Sequence, residues 1–289
     1  MQTTRPPSAL WLVDKPVGVT SFQLVADFRE KHAGNWPLKV VHGGVLDPFA
    51  DGLMVLLVGS ATRLFERLHE VPKRYVATVR WGAETDTGDA GGQVVREAAR
   101  PDPARLDEAL RAFLGWTEQV PPATSNKRVD GERAYEKAHR GEEVTLPPSK
   151  VFLHEAAWGP HDGASSELRV SVRGGFYVRS LVRDLGRALG SAAHVVTLKR
   201  THLGPWSVPR EPRRLTGVEV LPWLPSQPLT DALWGRVKRG ETITVDAMVQ
   251  PEWPLPAGFP QADGVRLFHQ GRLVAIWTEA GTTVLPGGV

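Results

Sequence analysis

The segment Val41-His-Gly-Gly-Val-Leu-Asp-Pro-Phe-Ala-Asp-Gly52 runs directly into Leu53-Met-Val-Leu-Leu-Val58, and it places a carboxylate beside an apolar run. A continuous apolar run of this length predicts a buried strand. Pro48 excludes the α region for Asp47, so the backbone of Asp47 is extended and its side-chain direction is restricted. We therefore predict that the Asp47 carboxylate projects in a restricted direction from the end of a rigid element. An ordinary Asp-Pro turn, in which the side chain bonds its own backbone, explains the same residues when they are taken alone.

The composition of the chain is that of an ordinary globular protein. Its 289 residues are enough for one large domain with a small one, or for two medium domains. Hydrophobic residues make up 41% and charged residues 23%, which allows a sizeable core. No apolar run approaches the length of a membrane span, and the first residues lack the apolar part of a secretory signal. We therefore expect a cytoplasmic protein without disulfides or thiolate zinc sites, since cysteine is absent.

The distribution of charge is more informative than the net charge of +3 and the pI near 9.3. Between Arg173 and Arg214 the chain carries nine Lys and Arg residues against two acids. The segment from Arg63 to Arg80 adds a second cluster of cations. Such clusters suit an RNA phosphate backbone, although a solvated surface that balances acids elsewhere accounts for them as well.

Hydrophobic periodicity predicts a mixture of strands and helices. From Val178 onward, Val178, Leu181, Val182, Leu185 and Leu189 follow the spacing of one helix face. A helix over residues 21–32 is expected to begin at a Thr20 or Ser21 cap. Because the order is not a regular strand–helix–strand repeat, it favours an α+β fold over a doubly wound one. Further strands are predicted at 10–13, 74–81, 93–95, 151–153 and 167–172, and further helices at 102–113 and 133–140.

A set of short motifs in a fixed order is the most specific signal in the chain. Together with the Asp47 segment, the set resembles the TruB family of tRNA pseudouridine synthases, from about residue 11 to 204 and more weakly beyond. Each motif alone is short, but seven or more in register are highly specific. The motifs are Lys15-Pro-Val-Gly-Val-Thr-Ser21, Lys73-Arg-Tyr-Val-Ala77, the segment 82–92, Val120-Pro-Pro-Ala-Thr-Ser125, Val129-Asp-Gly131, Gly175-Phe-Tyr-Val-Arg-Ser180, Arg183-Asp-Leu-Gly186 and Ala193-His-Val195.

The resemblance implies an α+β pseudouridine synthase fold with a mixed, largely antiparallel central sheet flanked by helices. The catalytic domain is expected at 1–225, with 116–150 as an RNA-gripping insertion because it is rich in Pro, Ser and charge. Six prolines between Pro205 and Pro228 indicate the passage to a second domain at 226–289. That domain is expected to be a small β-barrel similar to the PUA RNA-binding module, with strands at 241–245, 264–269 and 272–278.

The activity that the resemblance implies is conversion of uridine to pseudouridine in the T-loop (TΨC arm, uridine 55) of tRNA. Asp47 would start the reaction by attacking the sugar, attacking the uracil ring or removing a sugar proton, and these routes stay open. Arg179 is the expected partner that keeps this buried acid ionised, although a phosphate contact or a surface charge is the alternative. Tyr75 would stack on the extruded uracil or take its C5 proton, whereas a lone strand tyrosine is usually a core residue.

Four further residues are expected to bind or support the substrate. His42 would fill the space that the extruded base leaves, Tyr177 offers a stacking face, and Leu198 would close the uracil pocket. Lys15 lies in the N-terminal loop that supports the catalytic loop in the family. A loop histidine bonded to backbone and an ordinary core leucine are the plain alternatives. The chain departs from the family pattern at His42-Gly-Gly44, Gly175-Phe-Tyr177 and Ser125-Asn126, without losing a charged or aromatic residue.

No metal, cofactor or obligatory protein partner is expected, and a monomer acting on the tRNA T-arm is the simplest assembly. Asp86 and Asp89 lack the spacing of a calcium loop, so a hairpin turn with Asx hydrogen bonds explains them better. Two other functions stay open at this point. One is an RNA-binding or RNA-folding protein in which Asp47 is incidental. The other is a glycosidase-like hydrolase, which requires a second positioned carboxylate.

Overall fold

The computed structural model describes residues 7–33, 37–129, 131–142, 144–246 and 248–289. They form two compact units, the first made of Met1–Val71 with His202–Val289 and the second of Pro72–Thr201. The predicted α+β class is confirmed, with a mixed central sheet and a small C-terminal sheet. No helix among the described residues is long and apolar enough to cross a membrane.

The helices and strands follow one another without a regular repeat. In chain order they are β1 (Ala9–Lys15), α1 (Ser21–Ala33), β2 (Val40–His42), β3 (Asp51–Val58), β4 (Lys73–Trp81), β5 (Ala83–Thr85), β6 (Val94–Glu97), α2 (Leu106–Arg111), β7 (Gly115–Gln119), β8 (Arg128–Val129), β9 (Glu132–Arg133), α3 (Ala134–His139), β10 (Ser149–His161), β11 (Ser165–Val172), α4 (Val178–Ala188), β12 (Ala193–Leu203), β13 (Trp206–Ser207), β14 (Arg213–Leu215), β15 (Ser226–Pro228), α5 (Asp231–Lys238), β16 (Val265–His269), β17 (Arg272–Thr278) and β18 (Gly281–Val284). Short 3₁₀ helices lie at Gly59–Leu64, Glu66–His69, Pro103–Arg105 and Gly217–Glu219.

In the first unit, β1 lies between β14 and β3, and both neighbours are antiparallel to it. The predicted buried strand at 53–58 is confirmed, because every residue of β3 after Asp51 is buried. β2 also pairs with β3, opposite Leu56, Leu57 and Val58. The loop that carries Asp47 therefore connects two hydrogen-bonded strands, and both of its ends are fixed.

The small C-terminal sheet shares a hydrophobic core with the first unit's other strands. Leu10 of β1 and Leu57 of β3 belong to the same buried cluster as Leu273 and Ile276 of β17. Two arginines also bond the C-terminal part: Arg63 Nη1 donates to the Val284 carbonyl at 2.8 Å, and Arg67 Nη1 to the Asp263 carbonyl at 2.7 Å. The domain boundary at residue 225 stays a prediction.

The strands predicted at 264–269 and 272–278 are confirmed as β16 and β17, whereas the strand predicted at 241–245 is wrong. Residues 241–246 have no strand pairing, because Glu241 is held by Arg236 and Arg239 of the preceding α5 turn. The helix α5 was not predicted, and its Thr230 cap accepts a bond from the Leu233 amide at 3.3 Å.

In the second unit, the strands follow the order β12-β4-β11-β10-β7. The strand predicted at 74–81 is confirmed as β4, in which the buried Tyr75, Ala77, Val79 and Trp81 alternate with more exposed residues. The predicted helix from Val178 is confirmed as α4, and α3 lies within the helix predicted at 133–140. The segment 116–150 begins with residues of β7, which pairs with β10, so its first residues lie in the sheet.

Candidate active site

The loop that carries Asp47 is held in part by main-chain hydrogen bonds. The Gly43 amide donates to the Val55 carbonyl at 2.6 Å, and the Ala50 amide donates to the Asp47 carbonyl at 3.1 Å. Gly44 adopts a φ of 135°, a conformation that residues with a β-carbon rarely adopt. Asp47 itself is half-buried. The carboxylate therefore starts from a backbone with little freedom to move.

The N-terminal loop supports the Asp47 loop from the side of β1. Lys15 is fully buried, and its Nζ donates to the Ala50 carbonyl at 2.6 Å and to the Pro16 carbonyl at 3.0 Å. The Gly18 amide donates to the Pro48 carbonyl at 2.8 Å. These bonds fix the residues that follow Asp47, and they place Lys15 underneath the loop.

Ser21 fixes the residue that precedes Asp47. Its Oγ donates to the Leu46 carbonyl and accepts a bond from the Leu46 amide, each at 2.9 Å. The N-cap of α1 is provided by Thr20, whose Oγ1 accepts a bond from the Gln23 amide at 3.0 Å. The sequence had suggested either residue as the cap. The structure separates their roles, because Ser21 binds the Asp47 loop and Thr20 caps the helix.

Arg179 is buried in the first turn of α4, and residues that are distant in sequence bind it. Its Nη1 donates to the Thr87 carbonyl at 2.7 Å and to Thr124 Oγ1 at 2.6 Å. The same nitrogen lies 3.6 Å from Asp89 Oδ2. A β-carbon at Gly88 would come within 3.3 Å of Arg179 Cβ, so the turn fits closely against this side chain. These contacts hold the guanidinium in one orientation.

The turn at 85–93 has the Asx hydrogen bonds that its sequence suggested. Asp86 Oδ1 accepts bonds from the Thr87 amide at 2.8 Å and the Gln93 amide at 2.9 Å. Asp89 Oδ1 accepts a bond from the Gly91 amide at 2.9 Å. Among the residues that the structure describes, no group of three or more potential ligands could hold a metal ion. The second oxygen of Asp89 faces Arg179, a role that the sequence did not indicate.

The basic cluster on α4 is partly neutralised. Arg187 forms a two-point ion pair with the buried Glu84, with distances of 2.5 Å and 3.1 Å. Arg183 bonds its neighbour Asp184 at 2.8 Å and the Val120 carbonyl at 3.1 Å. Arg183 and Arg187 therefore hold parts of the second unit together. The number of Lys and Arg residues in the sequence overstates how many positive charges are available to bind a phosphate backbone.

Tyr75 is buried on β4, with 9% of its surface exposed. Within the part of the chain that the structure describes, its hydroxyl group makes no hydrogen bond. Lys73 lies two residues earlier on the same strand face, and burial together with the charge of Arg200 lowers the pKa of Lys73 to about 7. Leu198 of β12 is also buried. The ring is mostly buried, but the hydroxyl oxygen is not among the fully buried polar atoms that lack a partner.

The predicted site residues fall into two sets, one in each unit. Lys15, His42 and Asp47 lie in the first unit, where His42 ends β2 opposite Leu56 and is half-buried. The second unit carries the predicted aromatic, cationic and apolar residues of the pocket. The Tyr177 amide, just before α4, donates to Gln119 Oε1 at 2.9 Å. Pairing of Asp47 with Arg179 stays a prediction. The residues of the second unit are Tyr75, Tyr177, Arg179 and Leu198.

Comparison with protein families identifies one matching model. The model described as TruB family pseudouridylate synthase (N terminal domain) matches residues 31–178. The chain is 40% identical over 203 residues to tRNA pseudouridine synthase B of Bordetella pertussis (strain Tohama I), covering 69% of this chain and 82% of that protein. It is 37% identical over 269 residues to the protein of the same name from Leifsonia xyli subsp. xyli, covering 88% of both chains.

Solved structures share the fold at low sequence identity. A crystal structure of a Cbf5-Nop10-Gar1 complex matches with a TM-score of 0.65 and 22% identity, covering 96% of this chain and 82% of that chain. The crystal structure of the archaeal box H/ACA sRNP Nop10-Cbf5 complex matches with a TM-score of 0.62 and 20% identity, covering 96% and 83%. At this level of identity, the likeness concerns the fold alone.

Proposed function

Because the chain belongs to the TruB family of pseudouridylate synthases, we propose that it isomerises a tRNA T-loop uridine to pseudouridine, with Asp47 starting the reaction. The observation that supports this role of Asp47 is that its loop is fixed by hydrogen bonds on both sides of the residue. Ser21 holds the preceding residue and Gly18 the following one, so the carboxylate is presented from a rigid support. Catalytic groups are effective when they are held in place before the substrate arrives.

The reaction is an isomerisation, so it consumes no oxidant and no water overall. The enzyme extrudes the uridine from the RNA loop, since the reacting atoms of a stacked base cannot be reached. The bond between N1 and C1′ breaks, the uracil turns, and a bond between C5 and C1′ forms. The C5 proton leaves and N1 gains a proton. Asp47 begins this sequence at the sugar or at the ring, by one of the three routes named above.

Arg179 is proposed to face Asp47 and keep it ionised in a dry pocket. Burial alone would favour the neutral acid, and a guanidinium opposite the carboxylate offsets this effect. The proposal is supported by the burial of Arg179 and by its bonds to Thr87 and Thr124, which fix its orientation. Asp89 lies beside the same nitrogen and is proposed to position Arg179.

Tyr75 is proposed to stack on the extruded uracil and to accept its C5 proton. Stacking of a base on an aromatic ring contributes about 1–3 kcal/mol. Its burial and its unbonded hydroxyl group, within the described residues, support this role. Leu198 is proposed to close the pocket, His42 to occupy the vacated place in the RNA loop, and Tyr177 to stack nearby. Lys15 is proposed to act through the loop that it supports.

The remaining assignments concern RNA binding and assembly. We propose that residues 226–289 form a PUA-like RNA-binding domain with a barrel structure and that residues 116–150 grip the tRNA T-arm. The protein is proposed to act as a cytoplasmic monomer without an obligatory protein partner. Support comes from the small sheet β15–β18 and from the exposed cations at Arg210, Arg213 and Arg214.

The test is to incubate the purified chain with an unmodified T-arm hairpin and to measure the carbon-linked nucleoside in the digested RNA. Asp47→Asn keeps the shape of the side chain but removes the charge, so the rate should fall by more than about 10³-fold while RNA affinity stays within a few-fold. Asp27→Asn on the exposed side of α1 is the matched control and should leave the rate unchanged. Conversion by Asp47→Asn at the wild-type rate would refute the role of Asp47, and release of uracil without pseudouridine would indicate a hydrolase.

A further inference from the structure

Three large apolar side chains are exposed around the Asp47 loop. Phe22 is 78% exposed, Val17 64% and Val45 43%. Val17 and Phe22 are far from Val45 in sequence, but all three border the same short segment, because Ser21 bonds Leu46 and the Gly18 amide bonds the Pro48 carbonyl. Phe22 directly follows Ser21, and Val17 directly precedes Gly18, the two residues that bond the loop. Val45 lies in the loop itself. We call Val17, Phe22 and Val45 the apolar rim.

The fold does not explain this exposure. Helix α1 buries Ser21, Val25 and Phe28, which follow one helical face, and Phe22 lies outside that face. Phe28 packs against Trp11 with ring centroids 5.4 Å apart, so the helix already has its aromatic contact with β1. Single exposed apolar residues are common, but several that border one functional loop indicate a binding surface.

The occupant that suits the apolar rim is RNA. If Asp47 reacts with an extruded uridine, as proposed above, the nucleotides next to that uridine lie beside the loop that carries Asp47. Extrusion removes a stacking partner from those nucleotides and exposes the faces of their bases. A phenylalanine ring replaces such a partner for any base, since every base has a flat aromatic face. The two valines offer apolar surface on either side of the ring.

A second copy of the chain suits the apolar rim less well. An aromatic side chain buries at most about 250 Å² and the two valines add less, so the rim provides far less than the roughly 800 Å² per partner of a standard interface. We propose that Phe22 stacks on an unpaired base next to the extruded uridine and that Val17 and Val45 flank this contact. This inference rests on the proposed function and adds a substrate-binding surface to it.

The first experiment separates stacking from general hydrophobicity. Affinity for an unmodified T-arm hairpin and the turnover rate at saturating RNA are measured for Phe22→Ala, Phe22→Leu and Phe22→Tyr. Phe22→Ala and Phe22→Leu should weaken RNA binding by about 5- to 100-fold, whereas Phe22→Tyr should bind within about twofold of wild type. Turnover at saturation should stay within a few-fold in all three. Val218→Ala is the matched control, since Val218 is 59% exposed in the same unit.

The second experiment tests direct contact with a base. Hairpins that lack the base on the 5′ or on the 3′ side of the target uridine are bound to wild type and to Phe22→Ala. If that base stacks on Phe22, removing the base and truncating the ring should be non-additive for one of the two hairpins. Full additivity for both hairpins, or wild-type affinity of Phe22→Leu, would overturn the proposal.

A third result separates the remaining outcomes. Sedimentation without RNA should show the same mass for wild type and Phe22→Ala, and loss of a dimer in the variant would assign the rim to a second copy instead. The proposed function fails if the wild-type chain does not convert uridine. The proposal that the apolar rim binds RNA is refuted if the wild-type chain is active and Phe22→Ala binds RNA with the same affinity as wild type.

Discussion

The Asp47 loop and the surroundings of Arg179 are both rigid, but they are held in different ways. The Asp47 loop is bonded mainly through main-chain groups, including the Leu46 amide and the Pro48 and Ala50 carbonyls. Arg179 is bound by Asp89, Thr124 and a carbonyl of the turn at 85–93. In the first arrangement, the bonded groups of the loop are main-chain amides and carbonyls, whereas in the second the bonded group is the guanidinium of one side chain. Substitutions should therefore damage the two regions differently.

The largest effect after Asp47 is expected at Arg179. Arg179→Lys keeps the charge but loses the planar group that makes several fixed bonds, so turnover should fall by about 10²- to 10³-fold. RNA affinity should change little, because the phosphate backbone dominates it. Arg183→Lys, one turn further along α4, is the control and should retain nearly full turnover. Equal losses of turnover in both variants would show that Arg179 acts through the helix and not through the site.

A smaller loss is expected when Arg179 is kept and its support is weakened. Asp89→Asn removes the charge near the guanidinium and should lower turnover about tenfold, because a misplaced group loses catalytic effect. Asp86→Asn lies in the same turn but away from Arg179, and an amide oxygen can still accept its two backbone bonds. Turnover should therefore be normal in Asp86→Asn, and single-turnover rates with saturating RNA measure both. A normal turnover rate in Asp89→Asn would show that Asp89 does not position Arg179.

For the Asp47 loop, the matched pair is Ser21→Ala and Thr20→Ala. Ser21→Ala removes both bonds to Leu46 in a buried place, and the free energy of unfolding should fall by about 1–3 kcal/mol. Thr20→Ala removes the helix cap and should cost about 0.5–2 kcal/mol. Denaturant unfolding measures both losses. Only Ser21→Ala should also reduce turnover several-fold, and reduced turnover in Thr20→Ala would mean that helix stability, not the loop, limits activity.

The two units also differ in their buried lysines. The side chain of Lys15 in the first unit is bonded to two carbonyls, whereas the ammonium group of Lys73 in the second makes no hydrogen bond or ion pair within the described residues and is repelled by the charge of Arg200. Burial, with Arg200, lowers the pKa of Lys73 from 10.5 to about 7. Between pH 7 and pH 10.5, Lys73 is protonated in the unfolded chain and largely neutral in the folded one, so the free energy of unfolding should rise with pH. The contribution of Lys73 to the slope is at most about 1.4 kcal/mol per pH unit.

Lys73→Met isolates this contribution. The variant lacks the titrating group, so the rise in unfolding free energy between pH 7 and 10.5 should become smaller than in wild type. At pH 7 the variant should be more stable, because an apolar side chain of similar length replaces a poorly solvated ammonium group. Lys39→Met, at an exposed position, is the control and should keep the wild-type slope. Identical slopes for Lys73→Met and wild type would show that Lys73 keeps an ordinary pKa.

Much of the fold was predictable because its signals are local. The apolar run of β3, the alternating face of β4 and the helical stripe of α4 each bury residues at the spacing of one element. The prediction of a strand at 241–245 was wrong because it also relied on a local pattern alone. Its residues alternate like a strand, but Glu241 is bonded to the end of α5 and no neighbouring strand pairs with it.

The partners of the site residues were less predictable. Asp86 and Asp89 look alike in the sequence of their turn, and only the position of α4 makes one of them a neighbour of Arg179. The motif order indicated that Thr124 belongs to a functional segment, but nothing local shows that its hydroxyl group binds the same nitrogen. Ser21 was recognised as a possible cap, and its bonds to Leu46 became visible only when the two loops were placed together.

By itself, the sequence determined the rigid Asp47 turn, the α+β class and the family, because proline and glycine restrict the backbone within a few residues and motif order is a property of the chain. Tertiary structure alone decided which polar groups meet Arg179, how Lys15 and Ser21 hold the Asp47 loop, and which apolar residues stay exposed beside it. Those outcomes depend on how strands pair and helices pack across long separations in the chain. No short stretch of residues contains that information, since each contact arises only when distant segments come together.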